Sequence, residues 1–142
     1  MEKNTIKDKL KAGLEKRILK KNTGILIKCT TTNRFLLLKR GFNQYKGYWS
    51  LISGGIDPNE DSLTAIKREI YEETKINPLI IKITFIDTEK TENNVFDYYI
   101  GTVKEEVTPV LDEENMDFMW VSKDELPTPL YPKLEIKINN FK

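Results

Sequence analysis

Several residue types are scarce in this sequence, and each scarcity excludes a class of site. Its 142 residues include no histidine and a single cysteine, Cys29. Without an imidazole, hydrolytic triads and dyads that use a histidine base are excluded, as are the usual zinc sites built on histidine. One cysteine cannot form an internal disulfide, and its apolar neighbours predict that Cys29 is a small buried hydrophobic residue. Acid–base chemistry must therefore come from carboxylates.

Long apolar runs and a strong net charge are also missing. No apolar segment approaches the ~20 residues of a membrane span. The N-terminus lacks the apolar core of a signal peptide, because lysines interrupt it. The formal net charge is +1, without the overall basicity typical of nucleic-acid-binding proteins. We therefore expect a soluble, cytoplasmic chain with no membrane partner and one domain's worth of hydrophobic core.

Residues 1–22 differ from the rest and predict an N-terminal extension, which leaves 23–142 as the main domain. Four apolar residues recur every four positions among lysines: Ile6, Leu10, Leu14 and Ile18. This spacing predicts an amphipathic helix. A basic amphipathic helix can bind RNA or a membrane surface. Three acidic residues dilute its charge, which favours packing on the core or on a second subunit of a homodimer.

The remaining pattern predicts an α/β domain in which helices cover a mixed sheet. Alternating or continuous apolar runs predict strands at 24–30, 34–40, 48–52, 79–88, 95–103 and 117–122. Leu63, Ile66 and Ile70 form the apolar stripe of a helix that follows a glycine pair, and either Asp61 or Ser62 can cap it. The spacing at 133–141 fits a strand or a helix, and we predict a helix.

The strongest functional signal is a cluster of glutamates on the predicted helix. Glu69, Glu72 and Glu73 occupy positions i, i+3 and i+4, which share one helix face. Three anions on one face repel one another unless a cation lies among them. Hard divalent cations such as Mg²⁺ bind such oxygen ligands, usually beside a substrate phosphate. We expect the three side chains to lie mostly off the buried stripe.

The residues before this cluster suit a site that approaches the backbone closely. Gly54 and Gly55 allow a ligand or metal near the chain, and a turn at 57–59 leads into the helix. Glu60 lies near the helix start, where negative charge is favourable. Arg68 can hold one carboxylate in place through paired hydrogen bonds.

Together these residues resemble the Nudix box, the signature of the Nudix hydrolase superfamily. Eight of its nine defined positions agree, on Gly54, Glu60, Arg68, Glu69, Ile70, Glu72, Glu73 and Ile76. The ninth is Lys75, where the family has a glycine that ends the helix in a left-handed conformation. Lysine there costs about 1 kcal/mol or changes the helix end, but it is not a proposed metal ligand.

The resemblance implies an α/β/α sandwich around a mixed sheet and an enzyme that hydrolyses nucleoside diphosphates linked to another group. It implies Mg²⁺ or Mn²⁺, held by Glu69, Glu72, Glu73 and the Gly54 carbonyl. Arg68 would orient a glutamate. The general base varies across the family, and it would be Glu69, Glu73 or a glutamate from a later loop, for which Glu114 is the candidate.

Substrate-binding candidates lie outside the box. Arg40, at the end of a predicted strand, can pair with a phosphate. Tyr45 and Tyr48 can stack on a base, whereas the adjacent Trp49 is better placed in the core. Tyr98 and Tyr99 point to opposite faces of one strand, so at most one of them lines the site, and Tyr98 is the candidate for substrate binding.

Two alternative functions remain open at this stage. A Nudix-like module could sense a nucleotide without cutting it, although a pure binder has no need for the full carboxylate cluster. An RNA 5′-end pyrophosphohydrolase could instead be steered to RNA by the basic N-terminal helix. The substrate is in either case derived from a nucleotide.

Overall fold

The computed structural model describes residues 19–142, which form one mixed sheet with a helix on each face. The strands are β1 (Lys20–Cys29), β2 (Phe35–Arg40), β3 (Trp49–Ser50), β4 (Ile52–Gly55), β5 (Lys82–Lys90), β6 (Asn94–Val103) and β7 (Asn115–Val121). The helices are α1 (Ser62–Thr74) and α2 (Leu134–Asn139), and a short 3-10 helix spans Pro78–Ile80.

Strand β1 lies at the centre of the sheet. Its main order is β3-β2-β1-β6-β5, with β4 paired to β1 and β7 paired to β2. Strands β1 and β6 are parallel along their whole length, whereas β1 pairs antiparallel with β2 and β4. This mixed sheet confirms the predicted α/β class.

Alternating side chains of the central strands supply two separate cores. On the face that we call the α1 face, Ile25 and Ile27 of β1 pack in one cluster with Ile66 and Ile70 of α1. On the opposite, α2 face, Leu26 packs in a cluster that includes residues of α2. Burying each of these large side chains stabilises the fold by about 1.5–3 kcal/mol.

Helix α1 begins and ends at identifiable capping residues. The Asp61 carboxylate accepts a hydrogen bond from the Thr64 N–H at 2.7 Å, which identifies Asp61 as the N-cap. At the other end, Lys75 adopts the left-handed conformation, with φ 59°, and donates its N–H to the Tyr71 carbonyl. The lysine therefore takes the conformation expected of the glycine that it replaces.

Several predicted boundaries differ from the structure. The strand predicted at 48–52 is divided into β3 and β4, and β4 includes the glycine pair that was predicted to follow the strand. Residues 20–22, predicted to end the N-terminal helix, lie in β1, where they pair with Asn94–Phe96 of β6; the rest of that predicted helix, up to residue 18, lies outside the described residues. The strand predicted at 79–88 starts three residues later. Pro78 has no N–H to donate to a sheet, and Asn77 instead caps a 3-10 turn by accepting from the Leu79 N–H.

Other predictions from the pattern are confirmed. The segment predicted as a helix at 133–141 contains α2, and Leu134 and Ile138 are its buried residues. Cys29 is a buried free cysteine, and Trp49 belongs to the core of the α2 face. Neither helix of the described range 19–142 has the length and apolar character needed to cross a membrane.

Candidate active site

Two of the three clustered glutamates face the sheet. Glu69 and Glu73 are 8% and 5% exposed, whereas the Glu72 side chain is 51% exposed. The expectation that all three lie mostly off the buried stripe was therefore wrong for Glu69 and Glu73. Residues four apart share a helix face, and this face turns toward β4 at the point where β4 has no side chain to exclude a carboxylate.

Gly54 provides that space. A Cβ atom on Gly54 would lie within 2.5 Å of the Glu69 carboxyl group, whereas one on Gly55 would meet nothing within 4 Å. The first glycine is thus required for the close packing of the Glu69 carboxylate on the β4 backbone. The sequence predicted that a ligand or metal would approach the backbone at the glycine pair. At Gly54, the group that approaches is the Glu69 side chain of α1.

Arg68 ties the loop before α1 to the helix. Its guanidinium donates two hydrogen bonds to Glu60, at 2.7 and 3.2 Å, and one to the Gly55 carbonyl at 2.9 Å. It also contacts Glu69 at 2.8 Å and Glu72 at 3.2 Å. The paired hydrogen bonds predicted for Arg68 thus go to Glu60, and these contacts raise the pKa of Arg68 and lower that of Glu60.

Glu60 connects Arg68 to the turn that precedes α1. Its carboxylate also accepts a hydrogen bond from the Asp57 N–H at 2.8 Å, which closes the turn at 57–59. Because α1 begins only at Ser62, Glu60 lies before the first helical turn. The structure therefore gives Glu60 a specific partner in Arg68, in addition to any favourable interaction with the helix dipole.

Glu73 is the most enclosed carboxylate of the cluster. One oxygen accepts a hydrogen bond from Asn115 Nδ2 at 3.1 Å, and Oε2 is buried with no hydrogen-bond partner. Burial raises the pKa of Glu73 well above its usual value, and the nearby Glu69, Asp112 and Glu114 raise it further against the Asn115 hydrogen bond. A buried acceptor without a partner is unfavourable unless a proton or a cation satisfies it.

The pKa of Glu69 is raised for the same reason as that of Glu73. Burial raises the pKa of its carboxyl to about 7, although the hydrogen bond and positive charge of Arg68 act in the opposite direction. A carboxyl with a pKa near 7 can take up and release a proton at neutral pH, as a general base must.

Glu114, from the loop before β7, lies close to these residues. It lines, with Glu69, Glu73 and Gly54, a cavity of about 490 Å³ that we call the carboxylate cavity. Its backbone carbonyl accepts a hydrogen bond from the Gly41 N–H at 2.8 Å, which fixes the loop to the end of β2. Burial, followed by the charges of Asp112 and Glu72, raises the pKa of Glu114.

Arg40 supplies positive charge to the same cavity. Its guanidinium donates to the Gln44 carbonyl at 3.2 Å and lies 5.5 Å from the centre of the Tyr131 ring. Lys20 also lines the cavity. Basic side chains in the same cavity as a set of carboxylates suit a ligand that carries phosphates, because a carboxylate-bound cation and a basic side chain would both neutralise phosphate charge.

Glu72, Tyr48 and Tyr98 do not line the carboxylate cavity. Glu72 accepts a hydrogen bond from Arg68, and the Tyr48 ring packs edge-on against Tyr45 at 5.2 Å. Tyr98 is buried on the α2 face, and Tyr99 on the α1 face, which confirms that the two point in opposite directions. Among residues 19–142, no group of three or more acidic or cysteine side chains has the arrangement of a preformed metal site.

Most of the cavity wall was not anticipated from sequence, and three of the unanticipated residues bear on its chemistry. Asn115 fixes Glu73, and the rings of Phe96 and Tyr131 line the wall. The only local signal was the position of Asn115 next to Glu114. The two rings come from segments far apart in the chain, so no spacing rule could have brought them together.

Comparison with known proteins agrees with this geometry. The NUDIX domain family model matches residues 19–140. An RNA pyrophosphohydrolase from Pelagibacter ubique is 41% identical over 58 residues, which are 41% of this chain and 35% of that protein. A putative 8-oxo-dGTP diphosphatase from Bacillus subtilis is 32% identical over 95 residues, 66% of this chain and 63% of that protein. The chain thus spans less than two thirds of the length of these curated relatives.

Solved structures show the same fold. The crystal structure of a C. elegans Ap4A hydrolase has a TM-score of 0.72 and 21% sequence identity, and the match covers 84% of this chain and 94% of that one. At this identity the likeness concerns the fold alone. Because the family match extends over nearly all the residues that the structure describes, this chain belongs to the Nudix domain family.

Proposed function

We propose that this protein is a divalent-metal-dependent hydrolase that cleaves a phosphoanhydride bond in a nucleoside diphosphate linked to another group. The observation that carries the proposal is the meeting of Glu69, Glu73 and Glu114 in one cavity, where Glu73 Oε2 is buried without a partner. A fold that keeps such carboxylates together must compensate their charge, and a hard cation does so when the substrate is bound.

The residues present fit Mg²⁺ or Mn²⁺. Glu69 and Glu73 are oxygen donors on one helix face, and the Gly54 carbonyl belongs to the backbone on which Glu69 packs. Glu72 is the further ligand that the family resemblance implies, and its half-exposed side chain remains accessible. When bound, the cations neutralise phosphate charge and lower the pKa of water for attack on phosphorus.

The other residues bind, orient and exchange protons. Glu69, Glu73 and Glu114 are the candidates for the general base, since each lines the cavity and the pKa of each is raised. Arg40, which lines the same cavity, pairs with a substrate phosphate. Arg68 acts as a positioning residue, because its hydrogen bonds hold Glu69 and the preceding loop together.

Tyr48 and Tyr98 were candidates for substrate binding from sequence, but their positions in the structure favour a different stacking residue. Neither ring lines the carboxylate cavity, whereas Tyr131 does. Tyr131 also packs edge-on against Tyr45, 4.9 Å between ring centres. We therefore propose Tyr131 as the stacking residue, with Tyr45 and Tyr48 behind it as support.

An RNA 5′ end is a second candidate substrate. It is favoured by the 41% identity to an RNA pyrophosphohydrolase and by the presence of Lys20 and Arg40 at the cavity. We also propose a cytoplasmic location and a homodimer to which residues 1–18 would contribute.

The test is a hydrolysis screen of the full chain with Mg²⁺, Mn²⁺ or a chelator. The panel contains nucleoside triphosphates, dinucleoside polyphosphates, ADP-ribose, nucleotide sugars and an RNA with a 5′-triphosphate, with products identified by mass spectrometry. We expect metal-dependent release of a nucleoside monophosphate or of pyrophosphate. Nucleotide binding without turnover of any substrate would instead identify a sensor.

Deleting residues 1–18 separates the two substrate classes. If the N-terminal segment steers RNA, its loss should reduce RNA hydrolysis and the salt dependence of that reaction while leaving small nucleotides unaffected. Equal losses on both substrate types would assign the segment to folding or to dimerisation.

A further inference from the structure

A second cavity adjoins the carboxylate cavity on the α2 face. Its volume is about 210 Å³, below the roughly 300–1,000 Å³ typical of sites that hold a whole drug-sized ligand. It therefore suits one ring system of a larger molecule. We call it the α2 cavity, and its wall includes Leu51, Glu89, Phe96, Tyr131, Leu134 and Lys137.

The two cavities share part of their walls. Ser53, Asn94, Phe96 and Tyr131 line both of them. A nucleotide whose phosphates lie among the carboxylates can therefore place its base in the neighbouring α2 cavity. Phe96 and Tyr131 offer aromatic surface at this junction, and stacking on such surface stabilises a bound base.

Tyr131 is held in place on two sides. The Tyr45 ring packs against it at 4.9 Å, and the Arg40 guanidinium lies 5.5 Å from its centre. Its N–H also donates to the Trp49 carbonyl at 2.9 Å. A ring fixed in this way loses little freedom on ligand binding, which favours affinity.

The wall of the α2 cavity contains one ion pair, between Glu89 of β5 and Lys137 of α2. The Lys137 side chain is 16% exposed, and its ammonium lies 4.2 Å from the centre of the Tyr98 ring. The Glu89 side chain is 37% exposed, and an ion pair that solvent reaches on one side contributes little net stability to a fold, because screening and desolvation offset the attraction. The pair places the Lys137 ammonium, a hydrogen-bond donor, beside the two acceptor oxygens of Glu89. Both groups lie at the edge of the otherwise largely apolar α2 cavity.

We propose that the α2 cavity binds a guanine-type base, with Lys137 donating to the O6 carbonyl and Glu89 accepting from N1–H and the 2-amino group. Guanine presents an acceptor beside two adjacent donors, which matches one ammonium beside one carboxylate. Adenine presents the reverse order, with its 6-amino donor against the Lys137 ammonium and its N1 acceptor against a Glu89 oxygen, so neither group finds a partner. This inference rests on the proposed nucleotide hydrolase function.

The first test compares kcat/KM for GTP, ITP and ATP with Mg²⁺. The wild-type chain should prefer GTP over ATP by at least roughly tenfold, and ITP, which lacks the 2-amino group, should fall between them. Lys137→Met should lower kcat/KM for GTP by roughly tenfold to a hundredfold, because a charged hydrogen bond is lost. The kcat/KM for ATP should fall by a smaller factor. The matched control is Lys123→Met, because Lys123 is an exposed lysine lining a separate cavity.

A double variant guards against misfolding of the single one. Glu89→Lys combined with Lys137→Glu keeps an ion pair between β5 and α2 but exchanges donor and acceptor. We expect it to fold with the wild-type circular dichroism spectrum and to lose the preference for GTP. A folded double variant that retains the full wild-type preference would overturn the proposal.

Binding measurements separate this inference from the proposed function. Calorimetry with GDP and ADP in a chelator requires no turnover. If no nucleotide is hydrolysed but GDP binds at least tenfold more tightly than ADP, the hydrolase proposal fails and the base assignment stands. If nucleotides are hydrolysed but GDP and ADP bind equally and react equally, the base assignment fails alone.

Discussion

The two faces of the sheet are held by very different helices. Helix α1 has 13 residues, a side-chain N-cap, a left-handed C-cap and an arginine that ties it to the preceding loop. Helix α2 has 6 residues and no side-chain cap at its start. The carboxylates proposed for metal binding come from the first, and the wall proposed for base recognition comes partly from the second.

This difference matches what each face must do. Metal binding requires several like charges in fixed positions, which only a rigid and well-anchored element can maintain. Base recognition requires shape and one donor–acceptor pair, which a short helix can present. We therefore expect the α1 face to respond sharply to small changes that affect the carboxylates, and the following predictions test that expectation.

The largest effect is expected at the most enclosed carboxylate. Glu73→Gln keeps the size of the side chain but removes its charge, and turnover should fall by roughly 10²–10⁴-fold, the range for a lost acid–base group. The measurement is Mg²⁺-dependent hydrolysis of the best substrate from the panel. The thermal unfolding midpoint should not fall, because the buried unpartnered charge is removed.

The matched control for this variant lies in the neighbouring acidic loop. Glu113 is exposed and does not line the carboxylate cavity, so Glu113→Gln should leave turnover unchanged. A folded Glu73→Gln protein with the wild-type rate would remove Glu73 from the site.

A second effect appears in the pH dependence of stability without metal. Burial raises the pKa of Glu69 from about 4.5 in the unfolded chain to about 7 in the folded one. The folded state then holds the proton more tightly, so stability is full below pH 4.5 and falls as pH rises through about 7, by about 3 kcal/mol. Glu73, whose pKa is also raised, acts in the same direction.

Thermal unfolding in a chelator at pH 5 and pH 8 measures this loss. The wild-type midpoint should be lower at pH 8, and Glu69→Gln should reduce the difference between the two pH values. Adding Mg²⁺ at pH 8 should restore stability, because the cation binds the folded state. A midpoint that rises from pH 5 to pH 8 in the chelator would contradict the assigned environment of the carboxylates.

A smaller effect is expected from the glycine pair. Gly54→Ala places a methyl group against the Glu69 carboxyl and should destabilise the fold by about 1–3 kcal/mol while lowering turnover. Gly55→Ala adds the same methyl group to open space and should change stability far less. Equal effects of both substitutions, measured by denaturant unfolding, would show that close packing at Gly54 is unimportant.

The smallest effect is expected at the end of α1. Lys75→Gly relieves a left-handed residue, a gain of about 1 kcal/mol, but removes the contact of its ammonium with the Tyr71 ring, 5.1 Å away. Net stabilisation should therefore stay below about 1 kcal/mol, with turnover unchanged. A large loss of turnover would show that the helix end affects the carboxylates after all.

Local spacing predicted much of the fold and the acidic part of the site. The i, i+4 relation of Glu69 and Glu73 put them on one helix face, and the structure places both in one cavity. Spacing did not show which face of α1 they share, because that depends on what packs against the helix. A glycine on a neighbouring strand made burial of Glu69 sterically allowed.

The residues that complete the cavity illustrate the limit of local reasoning. Asn115 reaches Glu73 across 42 positions of sequence, and Phe96 meets Tyr131 only because β6 and the segment before α2 share one face of the sheet. The sequence made Tyr98 a candidate for substrate binding, but the pairing of β6 places its ring in the core of the α2 face.

The sequence by itself determined the family, the α/β class and the identity of the acidic helix, because these follow from spacing along a single segment and from residue types that cannot substitute for one another. Tertiary structure alone decided which glutamates are buried, where Arg68 points and which rings form the walls of the two cavities. Those properties arise from side chains distant in sequence that occupy the same space, and no local pattern records the packing that brings them there.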